Sequence, residues 1–296
     1  MFGVAIMGRF VPCWRRRALG GQWSGRGFCL MRSLSFILSA LLWLGLLLPA
    51  GAGPTLLPHV YGNGSSLAAK LGDDLYQSLD PKLRAFLRPD PVTVQNTEAP
   101  MITPIAVGEG EQAGGGVSLS SGYLDLINHL AHAKAIDRVQ PGYFEQYVLN
   151  LNRASGSNSL PDLPNIVDNR FWTVDVMNEQ ASYFNQMIGV TLAINFSYHY
   201  LGAYRQYSPQ MLAGKLVPIN TFLPPGDWDA GVKAAALNCL NCALPMDGGQ
   251  ALFEAIDKMP RRPPWAAYVV PPNTDLKNLV NQLSQYQVLY FHGQLK

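Results

Sequence analysis

His199 is the side chain from which most chemistry can be argued. It lies in Ile188–Tyr204, IGVTLAINFSYHYLGAY, an apolar stretch with helical spacing in which Ala203 follows it by one turn on the same face. Two histidines at that i, i+4 spacing bind zinc, and a glutamate directly after the first serves as general base on the metal-bound water. Here Tyr200 occupies the place of that glutamate and Ala203 the place of the second histidine. His199 also shares its stripe with Ile188, Leu192 and Phe196, which suits a hydrogen-bonded core histidine as well as a ligand.

Other groups could complete a metal site around it. His129 and His132 fall at i, i+3 in NHLAHAKAID, close enough to share a helix face. Solvated or core roles compete with ligation, because no third ligand of known spacing stands beside them. Cys239-Leu240-Asn241-Cys242 has the C-x-x-C form, but it sits near the end of an Ala-rich helical run. Reactive pairs of that form sit at helix N-termini, so buried small side chains are the expected reading. Tyr198, Tyr200, Tyr204 and Tyr207 surround His199 along the chain, in a pattern that fits stacking on a ligand or plain core packing. The glycines from 108 to 116 lack both G-K-[ST] and a G-x-G-x-x-G helix entry, so they predict a turn and no phosphate loop.

Elements that would position these groups follow from periodicity and punctuation. A helix is expected over 67–87, broken near Pro81, followed by a surface loop over 88–98 that contains Pro89 and Pro91. Strands are expected over 101–107 and 117–122, the second alternating Val117 and Leu119 against serines. Helices are expected over 123–139 and 143–154, and a single longest helix over 176–211 should form the centre of the fold. Asp227 reads as the N-cap of a helix to about 243, and Asp247-Gly248-Gly249 begins another to 259. A strand over 266–270 and a last helix over 274–291 complete the order, with no internal repeat. The expected fold class is α+β and mainly helical, with a long central helix and a small sheet or edge strand.

The words GGGVSLSSGYLDLI (114–127), then the histidine helix, then WDAGVKAAALNCLNCALPMDGGQALFEAIDKM (228–259) resemble the zinc metallopeptidases of the CAAX prenyl protease and periplasmic quality-control type, a gluzincin-like pattern with a degenerate H-E-x-x-H. The resemblance covers about residues 101–259. It implies a zincin-like fold and, as metal ligands, His199 and an acidic residue near Asp229, with Tyr200 at the general-base position and Ala203 at the second histidine's. It implies that Val117–Ser121 is an edge strand on which a peptide substrate pairs. Asp229 also lies in a first helical turn, where a carboxylate favours the helix dipole without any metal. With one imidazole and one carboxylate the set falls short of the three protein ligands of a catalytic zinc site, so His129 or His132 would have to complete it.

The start of the chain bounds where this chemistry would operate. Arg32, the apolar run Leu34–Leu48, Pro49 and Ala50-Gly51-Ala52 form the n-region, h-region and small-residue cleavage pattern of a secretory signal peptide over 31–52. Residues 1–30 read as an over-extended, disordered start, and 53–296 as a single exported domain. The apolar run is shorter than a membrane-spanning helix needs and no cysteine follows to accept a lipid, so no stable anchor is expected once the signal is cleaved. Removing 1–52 takes six of the 22 basic residues and none of the 20 acidic, and the formal net charge falls from +2 to −4. A mildly acidic surface offers no electrostatic footprint for nucleic acid. Only Cys239 and Cys242 remain, too few for a disulfide framework. The reading is therefore a periplasmic or extracellular metallopeptidase-like protein that has lost metal-dependent hydrolysis and acts by binding a peptide or protein partner. Its alternatives are an active zinc-dependent metallopeptidase with an unorthodox ligand set, and a structural, envelope-associated helical protein. No cofactor follows from the residues alone; zinc is the one the resemblance implies.

Overall fold

The computed structural model describes residues 63–107, 114–154, 160–212 and 217–295, all within the unit Gly53–Lys296. The signal peptide, the start at 1–30 and the glycine-containing turn at 108–113 lie outside the described residues. The fold is mainly helical with a small three-stranded mixed sheet. In chain order the described elements are α1 Gly64–Ser78, the one-turn α2 Pro81–Arg84, β1 Leu87–Gln95, β2 Ile102–Val107, β3 Gly114–Ser120, α3 Ser121–Ile136, α4 Tyr143–Arg153, α5 Val174–Tyr200, α6 Ala203–Leu212, α7 Pro225–Asn241, α8 Asp247–Lys258 and α9 Leu276–Phe291. No described helix is long and apolar enough to cross a membrane.

Two helices are central because they are buried nearly all round. On α3 every residue from Gly122 to Ala133 is buried, and on α5 every residue from Gln186 to His199 is buried. They pack on each other, and α5 also carries α1, α7 and α8. The α3 start is fixed by Ser120, whose hydroxyl accepts the Tyr123 amide at 3.0 Å.

The sheet order is β1-β3-β2, with β1 parallel and β2 antiparallel to β3. This corrects the edge-strand reading of Val117–Ser121: β3 is the middle strand, paired on both sides. It also turns the expected loop over 88–98 into β1. Pro89 and Pro91 are compatible with that because β1 is an edge, and its pairing with β3 is irregular between Leu87 and Val92. Val117, Leu119 and Ile102 bury one sheet face toward the helices. The opposite face carries Gln95, Ser118, Ser120, Met101, Thr103 and Ile105, as the cross-strand register requires.

The single long helix expected over 176–211 is two. The chain leaves α5 at Leu201, and Gly202 takes φ +88°, a left-handed conformation in which its amide bonds the His199 carbonyl at 3.3 Å. Ala203 therefore opens α6 and is not one turn below His199 on a continuous helix. The helix expected to be capped by Asp227 begins earlier, at Pro225, with Asp227 in its first turn. Residues 266–270 form no strand; Pro264–Tyr268 is a 3₁₀ turn between prolines, where an extended segment would have no partner.

Candidate functional site

The His199 imidazole is buried and its Nε2 lies 2.9 Å from the Gly116 carbonyl, so Nε2–H donates to the middle strand. Its ring rests on Gly115, where a Cβ would stand 2.5 Å from Nδ1. The Tyr204 ring covers it at 4.6 Å between centroids. Burial pulls the His199 pKa below its ordinary value, and the Gly116 bond only partly offsets this. His199 is thus a neutral core group that ties α5 to the sheet.

The other candidates lie apart from it in function. His129 is buried on α3 with Nδ1 3.0 Å from the Tyr147 hydroxyl of α4. His132 donates from Nε2 to the Phe171 carbonyl at 2.8 Å and packs edge-on against Trp172, which holds the 3₁₀ turn Asn169–Trp172 on α3. Asp229 is exposed on α7, where its charge acts on Tyr286 of α9. Tyr200 is largely shielded, and burial pushes its phenol far up, so it stays protonated and cannot replace a glutamate as base. Among the described residues no group of three or more His, Cys, Asp or Glu side chains is placed to hold a metal ion. The described residues do not fit zinc, which needs three protein ligands at a catalytic site. Cys239 is buried and its thiol is pushed up by burial, while Cys242 is half-buried, and the two form no disulfide. The expected burial holds for Cys239, whereas Cys242 is only partly covered.

His132 and His199 predict an acid-sensitive fold. Both are held below the ordinary 6.5, His132 also chiefly by burial. As pH falls through 6.5 the unfolded chain takes up protons at these sites before the folded chain does. Their contribution to stability is whole above 6.5 and declines below it. The midpoint of urea unfolding is expected to drop between about pH 7.5 and about pH 5, and His132→Asn is expected to shallow that dependence. A variant with the parent's slope would remove His132 from the cause.

What the fold does build is a cleft of about 210 Å³ on the polar face of the sheet. Its floor takes Gln95 from β1, Met101, Thr103 and Ile105 from β2 and its approach, and Ser118 and Ser120 from β3. Tyr204 and Ser208 of α6, Val217 and Tyr268 close over it. Tyr204 is placed there by the Gly202 turn, and its hydroxyl accepts the Ala106 amide at 2.8 Å. Ser120 is the best-defined floor group: its oxygen accepts both the Met101 amide at 2.8 Å and the Tyr123 amide at 3.0 Å. The serine alternation in VSLSSG pointed to this polar face; Tyr268 and Gln95 carried no signal of their own, since they arrive through non-local packing.

The free edge of β2 bears on how a ligand could bind. Met101 accepts the Ser120 amide, so in the antiparallel register Ile102, Pro104 and Ala106 direct their backbone groups away from β3. Pro104 has no donor to offer there, and the Ala106 donor is taken by Tyr204. Adding a fourth strand at this edge is therefore opposed at two successive outward positions.

No family model, curated protein or solved structure matches this chain.

Proposed function

We propose that the chain is an exported, zincin-like binding protein that holds a peptide segment of a partner without metal-dependent hydrolysis. The observation that carries this reading is the cleft on the polar sheet face, assembled from all three strands and closed by Tyr204 and Tyr268. It is the concave, mixed-polarity surface that ligand recognition uses. The engagement of His199 with Gly116 and the absence of a three-ligand group among the described residues favour binding over a zinc hydrolase with an unorthodox ligand set.

The purified protein is expected to contain zinc well below one equivalent and to show no chelator-sensitive cleavage of a fluorescence-quenched peptide library, while a displayed library of uncleaved peptides yields binders. Stoichiometric zinc together with chelator-sensitive cleavage would overturn the proposal in favour of an active metallopeptidase. A library without binders would remove the peptide partner.

A further inference from the structure

We infer that the cleft recognises one tyrosyl side chain of a bound peptide, inserted phenol-first onto the Ser118/Ser120 floor. This rests on the proposed peptide-binding role and specifies what that site selects. Size sets the first limit. A dry cavity of about 150 Å³ holds a benzene ring. At about 210 Å³ the cleft is of a size to take one aromatic side chain.

Charge sets the second. Among the described residues that line it, none is charged. An ionised group entering it would lose hydration with no counter-charge from these residues to replace it. The occupant is uncharged.

Polarity along the depth of the cleft sets the third. Ser118 and Ser120 are 5% and 2% exposed, so the floor is both polar and withdrawn from water. The Ser120 oxygen already accepts two amide hydrogens, which leaves its own O–H as the group it can offer. A ligand with a polar tip that accepts is matched to this floor, while Tyr204, Tyr268 and Ile105 match an aromatic body. Tyrosine has that combination, and phenylalanine lacks the tip. The Pro104 carbonyl faces away from β3 and, besides the Thr103 hydroxyl it accepts at 3.4 Å, can take a peptide N–H of the bound residue. That gives a blocked peptide residue an advantage over a free phenol, and side-chain insertion needs none of the edge donors that Pro104 and Ala106 withhold.

The test uses the full exported protein and three uncharged probes, N-acetyl-tyrosinamide, N-acetyl-phenylalaninamide and p-cresol, titrated by NMR line shifts. N-acetyl-tyrosinamide is expected to saturate and to bind about tenfold more tightly than either other probe, because the phenylalanine probe leaves a buried hydroxyl site unpaired and p-cresol has no peptide N–H for the Pro104 carbonyl. Ser118→Ala is expected to narrow the gap between the tyrosine and phenylalanine probes, and Ile105→Trp to abolish binding by filling the cleft, with circular dichroism and urea midpoints confirming that both fold. Equal affinity for the tyrosine and phenylalanine probes, binding that survives Ile105→Trp, or p-cresol binding as tightly as the tyrosine probe would each overturn the inference. Library peptides that still bind Ile105→Trp would overturn it while leaving the peptide-binding role standing on another surface. A library with no binders at all would take both down.

Discussion

Phe196→Ala is expected to lower the free energy of unfolding by about 3–5 kcal/mol, the range for removing a fully buried aromatic side chain. Phe196 is 0% exposed, within the buried stretch of α5, and its ring tip faces α1 at Gly72. The loss combines transfer of the ring to water with the cavity left behind. Little collapse is available, because α5 is enclosed by α1, α3, α7 and α8, each with its own contacts. Urea unfolding with an unchanged m-value checks it: a shift worth less than about 1 kcal/mol would mean that the helices close over the void. Because α5 also carries His199, the variant should loosen the tie to Gly116 as the core relaxes.

The same helix shows what could be read from the chain and what could not. Its apolar periodicity is unbroken across Ile188–Tyr204, so a continuous helix through Ala203 was the natural expectation. One glycine decides otherwise, and an isolated glycine in an apolar pattern does not announce whether it is packed or left-handed. Helices α3, α4, α8 and α9 are legible from their apolar spacing, and the structure adds side-chain caps at Ser120 ahead of α3 and Asp275 ahead of α9. β1 was hidden because Pro89 and Pro91 are strand-breaking signals unless the strand lies at an edge, and edge position is a property of the whole sheet. The same non-locality hid the cleft. Its serines were visible as the polar half of an alternation, but the tyrosines that close it come from residues 204 and 268, brought in by a helix break and a 3₁₀ turn. His199 is legible as a polar residue on an apolar face. Its bond to Gly116 depends on the placement of β3 at the centre of the sheet, which spacing along α5 cannot reveal.

Gly122→Ala is expected to cost about 3 kcal/mol, the upper end of ordinary overpacking, and to weaken the cleft together with the fold. A Cβ at this position would collide with the Glu98 backbone carbonyl, and a backbone atom cannot rotate aside as a side chain can. Gly122 is not among the residues with positive φ, so the substitution tests this clash without a change in intrinsic backbone preference for the left-handed region. The contact matters because the link between β1 and β2 is docked on the start of α3: the Gly122 amide bonds the Thr97 carbonyl at 2.9 Å and the Ser121 hydroxyl bonds the same carbonyl at 3.0 Å. That link joins Gln95 to Met101, two residues of the cleft floor, and it brings the Met101 amide to Ser120. Displacing Glu98 therefore pulls on both ends of the floor and on the hydroxyl proposed to meet the ligand. The urea midpoint should fall, and N-acetyl-tyrosinamide affinity measured well below that midpoint should fall with it. A stable variant with unchanged affinity would show that the link yields freely and that the floor is positioned by β3 alone.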